Sequence, residues 1–269
     1  MVSPEGATGI PWPLSCWDAE RHFPGGQRLR NQRSSLSYSG SVCISGLTAA
    51  GKTTHSHLLA GEFGLTYVSA SQIQLNFLGR SPIQPKDFWI TEEAKQLHTV
   101  EAFRRIDSEL LLIESVSEGY VFDSRAMPWR HRHPALCIWL ESSLESRVKK
   151  AIVSHRGRGR FDTQEYEQRI QLKDQAAVAL YKELLGIDIA SDLSRFDLVL
   201  DISSLIGDRT LDASLRSISI THSLIRPAVA WYLTGRRDFK EQFDQALTTC
   251  PPGIVLRNEV KPAESMAGK

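Results

Sequence analysis

Two glycines, a lysine and a threonine form the clearest chemical pattern in this sequence. The stretch GLTAAGKT, residues 46–53, matches the spacing G-x-x-x-x-G-K-[ST]. In that pattern small residues let successive backbone N–H groups curl around a phosphate, the lysine adds a mobile positive charge, and the hydroxyl is an oxygen ligand for Mg²⁺. The pattern predicts a nucleoside triphosphate site with Mg²⁺, formed by Gly46, Leu47, Thr48, Ala49, Ala50, Gly51, Lys52, Thr53 and Thr54.

The segments on either side of this loop are those that such a loop requires. SVCIS, residues 41–45, has the β-branched composition of a short strand, and KTTHSHLLAGEFG, residues 52–64, has helical spacing with a terminal glycine suited to a C-cap. The alternative is a glycine turn beside a solvated lysine, which accounts for neither Thr53 nor the flanking elements. The loop predicts only nucleotide binding, because motor, switch and kinase functions all need further parts.

A second candidate site residue ends another predicted strand. YVFDSRAMPW, residues 120–129, runs from apolar residues into Asp123 and then Arg125. An aspartate at the carboxyl end of a neighbouring parallel strand lies beside the loop, where it can orient Mg²⁺. We therefore predict Thr53 and Asp123 as the metal-site residues, and Arg125 as a contact to a second phosphate. The alternative is an aspartate that caps a loop and an arginine at the surface.

Three arginines alternate with glycines in HRGRGRF, residues 155–161. Alternating glycines favour a mobile segment, and guanidinium groups suit the oxygens of a phosphoryl group during transfer. We predict a lid that closes over the phosphates and excludes water, with Arg156, Arg158 and Arg160 as catalytic candidates beside Lys52, Asp123 and Arg125. The alternative is a solvated basic loop.

The order of elements predicts an α/β fold. Five strand candidates alternate with helical segments, which indicates a mainly parallel five-stranded sheet flanked by helices. The long helical segments are expected at 91–118, 163–185 and 209–247, with a loose tail after them. We predict three parts: an irregular N-terminal extension at 1–39, a nucleotide-binding domain at 40–207, and a helical addition with its tail at 208–269.

Composition limits the classes of partner. The chain has 269 residues, 41% of them hydrophobic, and a formal net charge of +1, so it is not a polycation that seeks nucleic acid. No apolar run approaches membrane-spanning length, and the four scattered cysteines favour free thiols in a reducing compartment. We therefore expect a cytoplasmic protein with a small-molecule partner, no nucleic-acid polymer and no membrane, while the oligomeric state stays open.

These motifs, in this order, resemble the cytidylate kinase-like family of nucleoside-monophosphate kinases, especially its shorter archaeal-type members. The most specific match is LYKELLGIDIASDLSRFDLVLDIS, residues 180–203, and the resemblance extends over about residues 41–205. It implies a P-loop NTPase fold with a lid, ATP and Mg²⁺ as donor, and a cytidine monophosphate as acceptor. It also implies that Arg125 belongs to the acceptor site and that Arg147 is a recurring arginine of the family.

The acceptor side departs from the family pattern. Leu75 stands where the family often has an arginine that grips the acceptor phosphate, and Ala126 stands where bacterial members have an aspartate. Ala177 and Leu180 replace an aspartate and an arginine, although Lys173 and Asp174 lie one turn earlier. The sequence therefore leaves three possibilities open: a kinase of modified cytidylates, a kinase of a nucleoside or other small molecule, and a non-catalytic ATP-binding protein.

Overall fold

The computed structural model describes residues 40–77, 99–116, 119–155 and 162–263, and the fold is built on one six-stranded sheet. The strands follow the order β2-β3-β1-β4-β5-β6, and every neighbouring pair is parallel except β5 and β6. Their bounds are β1 Ser41–Ser45, β2 Thr66–Ser69, β3 Tyr120–Asp123, β4 Ala135–Glu141, β5 Leu198–Asp201 and β6 Val255–Asn258.

The predicted α/β class is confirmed, but the predicted count of five strands is wrong by one. The sixth strand lies within the segment predicted to be a loose tail, and it pairs antiparallel with β5 at the edge of the sheet. Its sequence, VLRN, has only four residues and two of them are polar, so it lacks the apolar run that indicates a strand. In the structure these residues are half-buried and exposed in alternation. The three-part division of the chain stays a prediction.

Helices cover both faces of the sheet. In the described part of the chain they are α1 Lys52–Phe63, α2 Ala70–Phe77, α3 Val100–Val116, α4 Met127–Arg130, α5 Leu144–Ser154, α6 Thr163–Leu185, α7 Leu211–Thr234 and α8 Arg237–Thr249, with a 3₁₀ turn at Ser203–Leu205. None of the helices in these ranges is long and apolar enough to cross a membrane.

Two predicted helices have different bounds in the structure. The helix expected over 91–118 begins at Val100, where the Thr99 hydroxyl accepts a hydrogen bond from the Ala102 N–H, and residues 91–98 lie outside the described part. The helical segment expected over 209–247 is two helices, because Gly235 ends α7 in the left-handed conformation at φ 63°.

Alternate residues of β1 point to opposite faces, and each face packs against its own helices. Val42 and Ile44 face a core that includes Leu224 and Ala228 of α7, whereas Cys43 lies in a second core with Phe122 and Trp139. The helix α7 also packs against α1, so this C-terminal helix shares the core beneath the loop. Cys43 and Cys137 are buried free thiols, as expected from the sequence, and Cys250 is a half-buried one.

Candidate active site

The loop at residues 46–51 joins the C-terminal end of β1 to the N-terminus of α1. Gly46 has φ 147°, and a Cβ there would come within 2.6 Å of the Leu140 carbonyl oxygen, so only glycine fits against β4. Gly51 has φ 109° and immediately precedes α1. The free N–H groups and the positive end of the helix dipole therefore face the loop, which is the arrangement that binds phosphate.

Lys52 is held inside the loop. Its Nζ donates hydrogen bonds to the carbonyl oxygens of Gly46 and Leu47, both at 2.8 Å. Burial, followed by the nearby Arg125 charge, lowers the pKa of Lys52 to about 8. The ammonium group is therefore charged at neutral pH but carries less solvation than an exposed lysine, and an anionic phosphate is its natural partner.

Thr53 and Asp123 form the predicted oxygen pair. The Thr53 hydroxyl donates to Asp123 Oδ2 at 2.6 Å, and the Tyr67 hydroxyl donates to the same oxygen at 3.2 Å. A hydroxyl and a carboxylate beside a phosphate-binding lysine are the ligand types that Mg²⁺ takes in nucleotide sites, with phosphate oxygens and water completing the shell. These residues therefore fit Mg²⁺ and a nucleoside triphosphate.

Asp174 on α6 connects the loop to two arginines, and sequence reasoning did not include it in the site. Asp174 Oδ1 accepts hydrogen bonds from the Thr48 N–H at 3.0 Å and the Thr48 hydroxyl at 2.7 Å. Arg125 Nη2 donates to the same oxygen at 2.9 Å, and Arg147 Nη1 donates to Oδ2. Burial raises the pKa of Asp174, but the Arg125 and Arg147 charges outweigh that effect and keep the pKa below its usual value.

The same network fixes both arginines. Arg125 Nη2 also donates to the Thr48 hydroxyl at 2.5 Å, and Arg147 donates to the carbonyl oxygens of Ser142 and Thr48 at 3.0 and 3.1 Å. Arg147 is 6% exposed, so its charge is compensated almost entirely by Asp174 and these carbonyl groups. The predicted site residue Arg125 thus lies beside the loop, already paired with a carboxylate.

A cavity of about 800 Å³ opens around the loop and has two sides. On one side it is lined by β2, α2, α3 and α6, through residues that include Ser69, Gln72, Phe103, Asp107, Lys173 and Tyr181. On the other side it is lined by α1, α5 and α7, through residues that include His55, Lys150, Ser214, Leu215, Ser217 and Ile218. The cavity is also lined by Lys52, Thr53, Asp123 and Arg125.

Three of the residues that depart from the family pattern, Leu75, Ala126 and Ala177, are buried as well as apolar. Leu75 is 1% exposed and belongs to the packed interior, so no cation replaces the expected arginine at that position. Ala126 and Ala177 are buried and line the cavity. Burial, with the charges of Arg125 and Lys52 adding to it, lowers the pKa of Lys173 to about 7.

Asp107 and His55 also line the cavity, and each has a partner that explains it. Asp107 binds Arg130 through two hydrogen bonds to Nε and one to Nη2, the last at 2.8 Å. His55 packs against His222 with ring centroids 5.8 Å apart, and burial lowers its pKa well below the usual value. Arg156, Arg158 and Arg160 lie outside the described residues, so the arginine lid stays a prediction.

Comparisons with known proteins agree with this geometry. Residues 41–204 match the sequence profile of the cytidylate kinase-like family. A cytidylate kinase of Methanopyrus kandleri is 30% identical over 174 residues, covering 63% of this chain and 88% of the relative. A cytidylate kinase of Pyrobaculum aerophilum is 31% identical over 189 residues, covering 68% of this chain and 96% of the relative.

A solved gluconokinase of Sinorhizobium meliloti 1021 aligns over 71% of this chain and 97% of its own with 12% identity, but its TM-score of 0.36 is too low to support an argument. The family match itself spans the loop, Asp123, Arg125, Arg147 and Asp174. The chain belongs to the cytidylate kinase-like family.

Proposed function

We propose that this chain transfers the γ-phosphoryl group of ATP to a small acceptor, and that the acceptor is a cytidine monophosphate or a modified relative. The observation that carries the proposal is the convergence of Lys52, the Thr53–Asp123 pair and Arg125 on one cavity. That cavity continues beyond Arg125 between α2, α3 and α6, which leaves room for a second molecule beside the triphosphate.

Each group at the loop has a role in positioning charge. The loop N–H groups and Lys52 hold the donor phosphates, and Thr53 and Asp123 hold the metal. Mg²⁺, when bound, supplies positive charge that offsets the charge developing on the phosphate oxygens. Arg125 contacts the acceptor in this proposal, and such transfers depend on alignment and electrostatics more than on a strong base.

The donor base occupies the other side of the cavity in this proposal. Leu215 and Ile218 present apolar side chains there, and Ser214 and Ser217 add hydroxyl groups on the same helix. An apolar slot with a few polar groups suits a flat heteroaromatic ring. Because α7 lies beyond the matched residues 41–204, this part of the proposal belongs to this chain rather than to the family.

A second candidate is a kinase of an acceptor that carries no phosphate, such as a nucleoside. It is supported by the buried Leu75 and by the pairing of Arg125 with Asp174, because a monophosphate would have to compete with that carboxylate. A non-catalytic ATP-binding protein is the third candidate, and it would not need Arg125 beside the loop.

The deciding experiment measures ADP release from ATP and Mg²⁺ with a panel of acceptors: CMP, dCMP, UMP, AMP, modified cytidylates and free nucleosides. Lys52→Ala is the control, because it removes the charge that contacts the donor phosphates, and it is tested with the same acceptors. Turnover with a cytidylate well above the control supports the first candidate. Turnover with nucleosides alone supports the second. ATP binding by calorimetry without turnover on any acceptor contradicts both.

A further inference from the structure

A cluster of two cysteines and a histidine lies in the core away from the phosphate-binding loop. Cys43 on β1 and Cys137 on β4 are direct partners in the register of two adjacent parallel strands. Cys43 is 0% exposed and Cys137 is 1% exposed. His131, between α4 and β4, places Nε2 3.6 Å from Cys137 Sγ. None of these three side chains has a role in the proposed transfer.

The hydrogen bonds of His131 determine which nitrogen faces the sulfur. Its Nδ1 lies 2.9 Å from the His133 carbonyl oxygen, which can only accept, so Nδ1 carries a proton. Nε2 therefore either accepts the Cys137 S–H proton or, as an imidazolium, donates to the thiolate. Both states keep the imidazole against the sulfur, which is the arrangement that activates a thiol.

The surrounding charges favour the ion pair. The neighbouring Cys43 thiol and the hydrogen-bonded His131 imidazole together lower the pKa of Cys137 to about 7 against the effect of burial. The bond to Cys137 raises the pKa of His131 to about 9, and Glu114 contributes in the same direction. Asp197 accepts the Cys137 N–H at 2.8 Å, and its charge opposes the thiolate.

We propose that Cys137 is an oxidation site for small peroxides and that Cys43 resolves the product into a reversible disulfide. The Cys137 thiolate attacks one oxygen of hydrogen peroxide, the O–O bond breaks, and the departing hydroxide takes a proton from the His131 imidazolium to form water. The Cys43 sulfur then attacks the sulfenic sulfur of Cys137, the S–O bond breaks, and the leaving oxygen departs as water with the Cys43 proton. Two thiols and one peroxide give one disulfide and two waters.

The strand geometry makes such a disulfide possible and easily reduced. Neighbouring strands lie about 4.8 Å apart, near the short end of the range of about 4.4–6.8 Å that a disulfide spans between Cα atoms. That spacing is shorter than the most common separation of about 5.5–6 Å, which favours a strained bond, and strained disulfides belong to the labile, regulatory class. Because both sulfurs are buried, a small oxidant reaches them more readily than a bulky thiol reagent does.

The wild-type chain contains its own reference thiol, since Cys250 is half-buried and lies in another part of the fold. The folded protein is treated with limiting hydrogen peroxide at pH 7, free thiols are then blocked with N-ethylmaleimide, and peptides are mapped by mass spectrometry. We expect a Cys43–Cys137 crosslinked peptide with a mass loss of about 2 Da, restored by dithiothreitol, while Cys250 is mostly blocked. Oxidation of Cys250 with Cys43 and Cys137 unreacted overturns the proposal.

Two variants separate activation from resolution. At pH 7 a thiol of pKa about 7 is about 15-fold more ionised than one of pKa about 8.5, and its lower nucleophilicity reduces that advantage to about threefold. Because the Cys43 contact also lowers the pKa and stays in place, His131→Gln should slow Cys137 oxidation by at most about threefold at pH 7, with the difference closing above pH 9. Cys43→Ser should stop at a sulfenic acid, which a 1,3-dione added together with denaturant traps. Unchanged rates in His131→Gln, or sulfinic acid instead of the crosslink in the wild-type chain, refute the assignment.

Discussion

Replacing Asp174 with asparagine tests the buried charge network that joins the phosphate-binding loop to Arg125 and Arg147. The substitution keeps the size of the side chain but removes a negative charge shared by Arg125 and Arg147. It also weakens the acceptor for the Thr48 N–H and hydroxyl, because one neutral carbonyl oxygen replaces two charged ones. Thr48 of the loop, Arg125 after β3 and Arg147 on α5 therefore lose their common partner on α6.

The magnitude follows from how well the charges are buried. The side chains of Arg125 and Arg147 are 12% and 7% exposed, and that of Asp174 is 10% exposed. Removing one partner of a buried ion pair costs about 3–5 kcal/mol, because the remaining charge stays desolvated and uncompensated. With a urea m-value of about 2.5 kcal/mol per molar, the unfolding midpoint should fall by about 1–2 M.

The matched control is Asp244→Asn on α8, where the aspartate pairs with Lys240 at 2.6 Å but both side chains are about half exposed, 54% and 46%. An exposed pair contributes about 0–1 kcal/mol, so the control should unfold close to the wild-type midpoint. Urea unfolding is followed by circular dichroism at pH 7.5 for all three proteins. A loss for Asp174→Asn within 1 kcal/mol of the control would refute the buried-network reasoning.

The pH dependence of that loss gives an independent check. The pKa of Asp174 is lower in the folded chain than in the unfolded chain, where it is about 3.9. Its stabilisation is therefore fully present above the unfolded value and disappears as the pH falls through the folded value. The stability gap between wild type and Asp174→Asn should stay constant from pH 7 to about 5 and narrow in more acidic buffer.

Three further outcomes are expected, all on the donor side. ATP affinity should fall about tenfold between pH 7 and pH 9 as Lys52, with its pKa of about 8, loses its proton, and calorimetry should find no such decrease in Lys52→Arg. Asp123→Asn should raise the Mg²⁺ concentration that half-saturates ATP binding by about 10–100-fold; an unchanged requirement argues against the metal role. Ser214→Phe should weaken ATP but not inorganic tripolyphosphate, unlike the exposed Ser219→Phe, and equal losses would contradict a base slot.

The parts of the fold that sequence predicted depend on local patterns. The loop sequence constrains backbone conformation within eight residues, and strands buried on both faces read as apolar runs. Edge strand β6 has neither a constrained loop sequence nor a buried apolar run, and Leu256 at its centre is 56% exposed. Its pairing with β5 spans more than fifty residues of chain. Long-range antiparallel pairing at an edge leaves no short-range trace in the sequence.

The same limit explains the missed aspartate. Asp174 meets Thr48 across 126 residues of sequence, so no spacing rule connects them. The family pattern has its aspartate at the position of Ala177, three residues later on α6. Residues three apart on a helix share a face, and moving one turn shifts a side chain by about 5.4 Å. Asp174, one turn earlier than Ala177, reaches Arg125 and Arg147, and these contacts are visible only once the helix is packed against the loop.

The charge on Asp174 also separates the two acceptor classes. Asp174 already pairs with Arg125, Leu75 contributes no charge, and burial lowers the pKa of Lys173 to about 7. A phosphate-bearing acceptor must therefore take Arg125 away from a carboxylate, whereas a neutral acceptor need not. If the acceptor is a monophosphate, Asp174→Asn should lower its KM, because the competing anion is gone. If the acceptor is neutral, the KM should not fall. An acceptor that is confirmed as a monophosphate but binds more weakly to the folded variant would show that Asp174 positions Arg125 rather than competing for it.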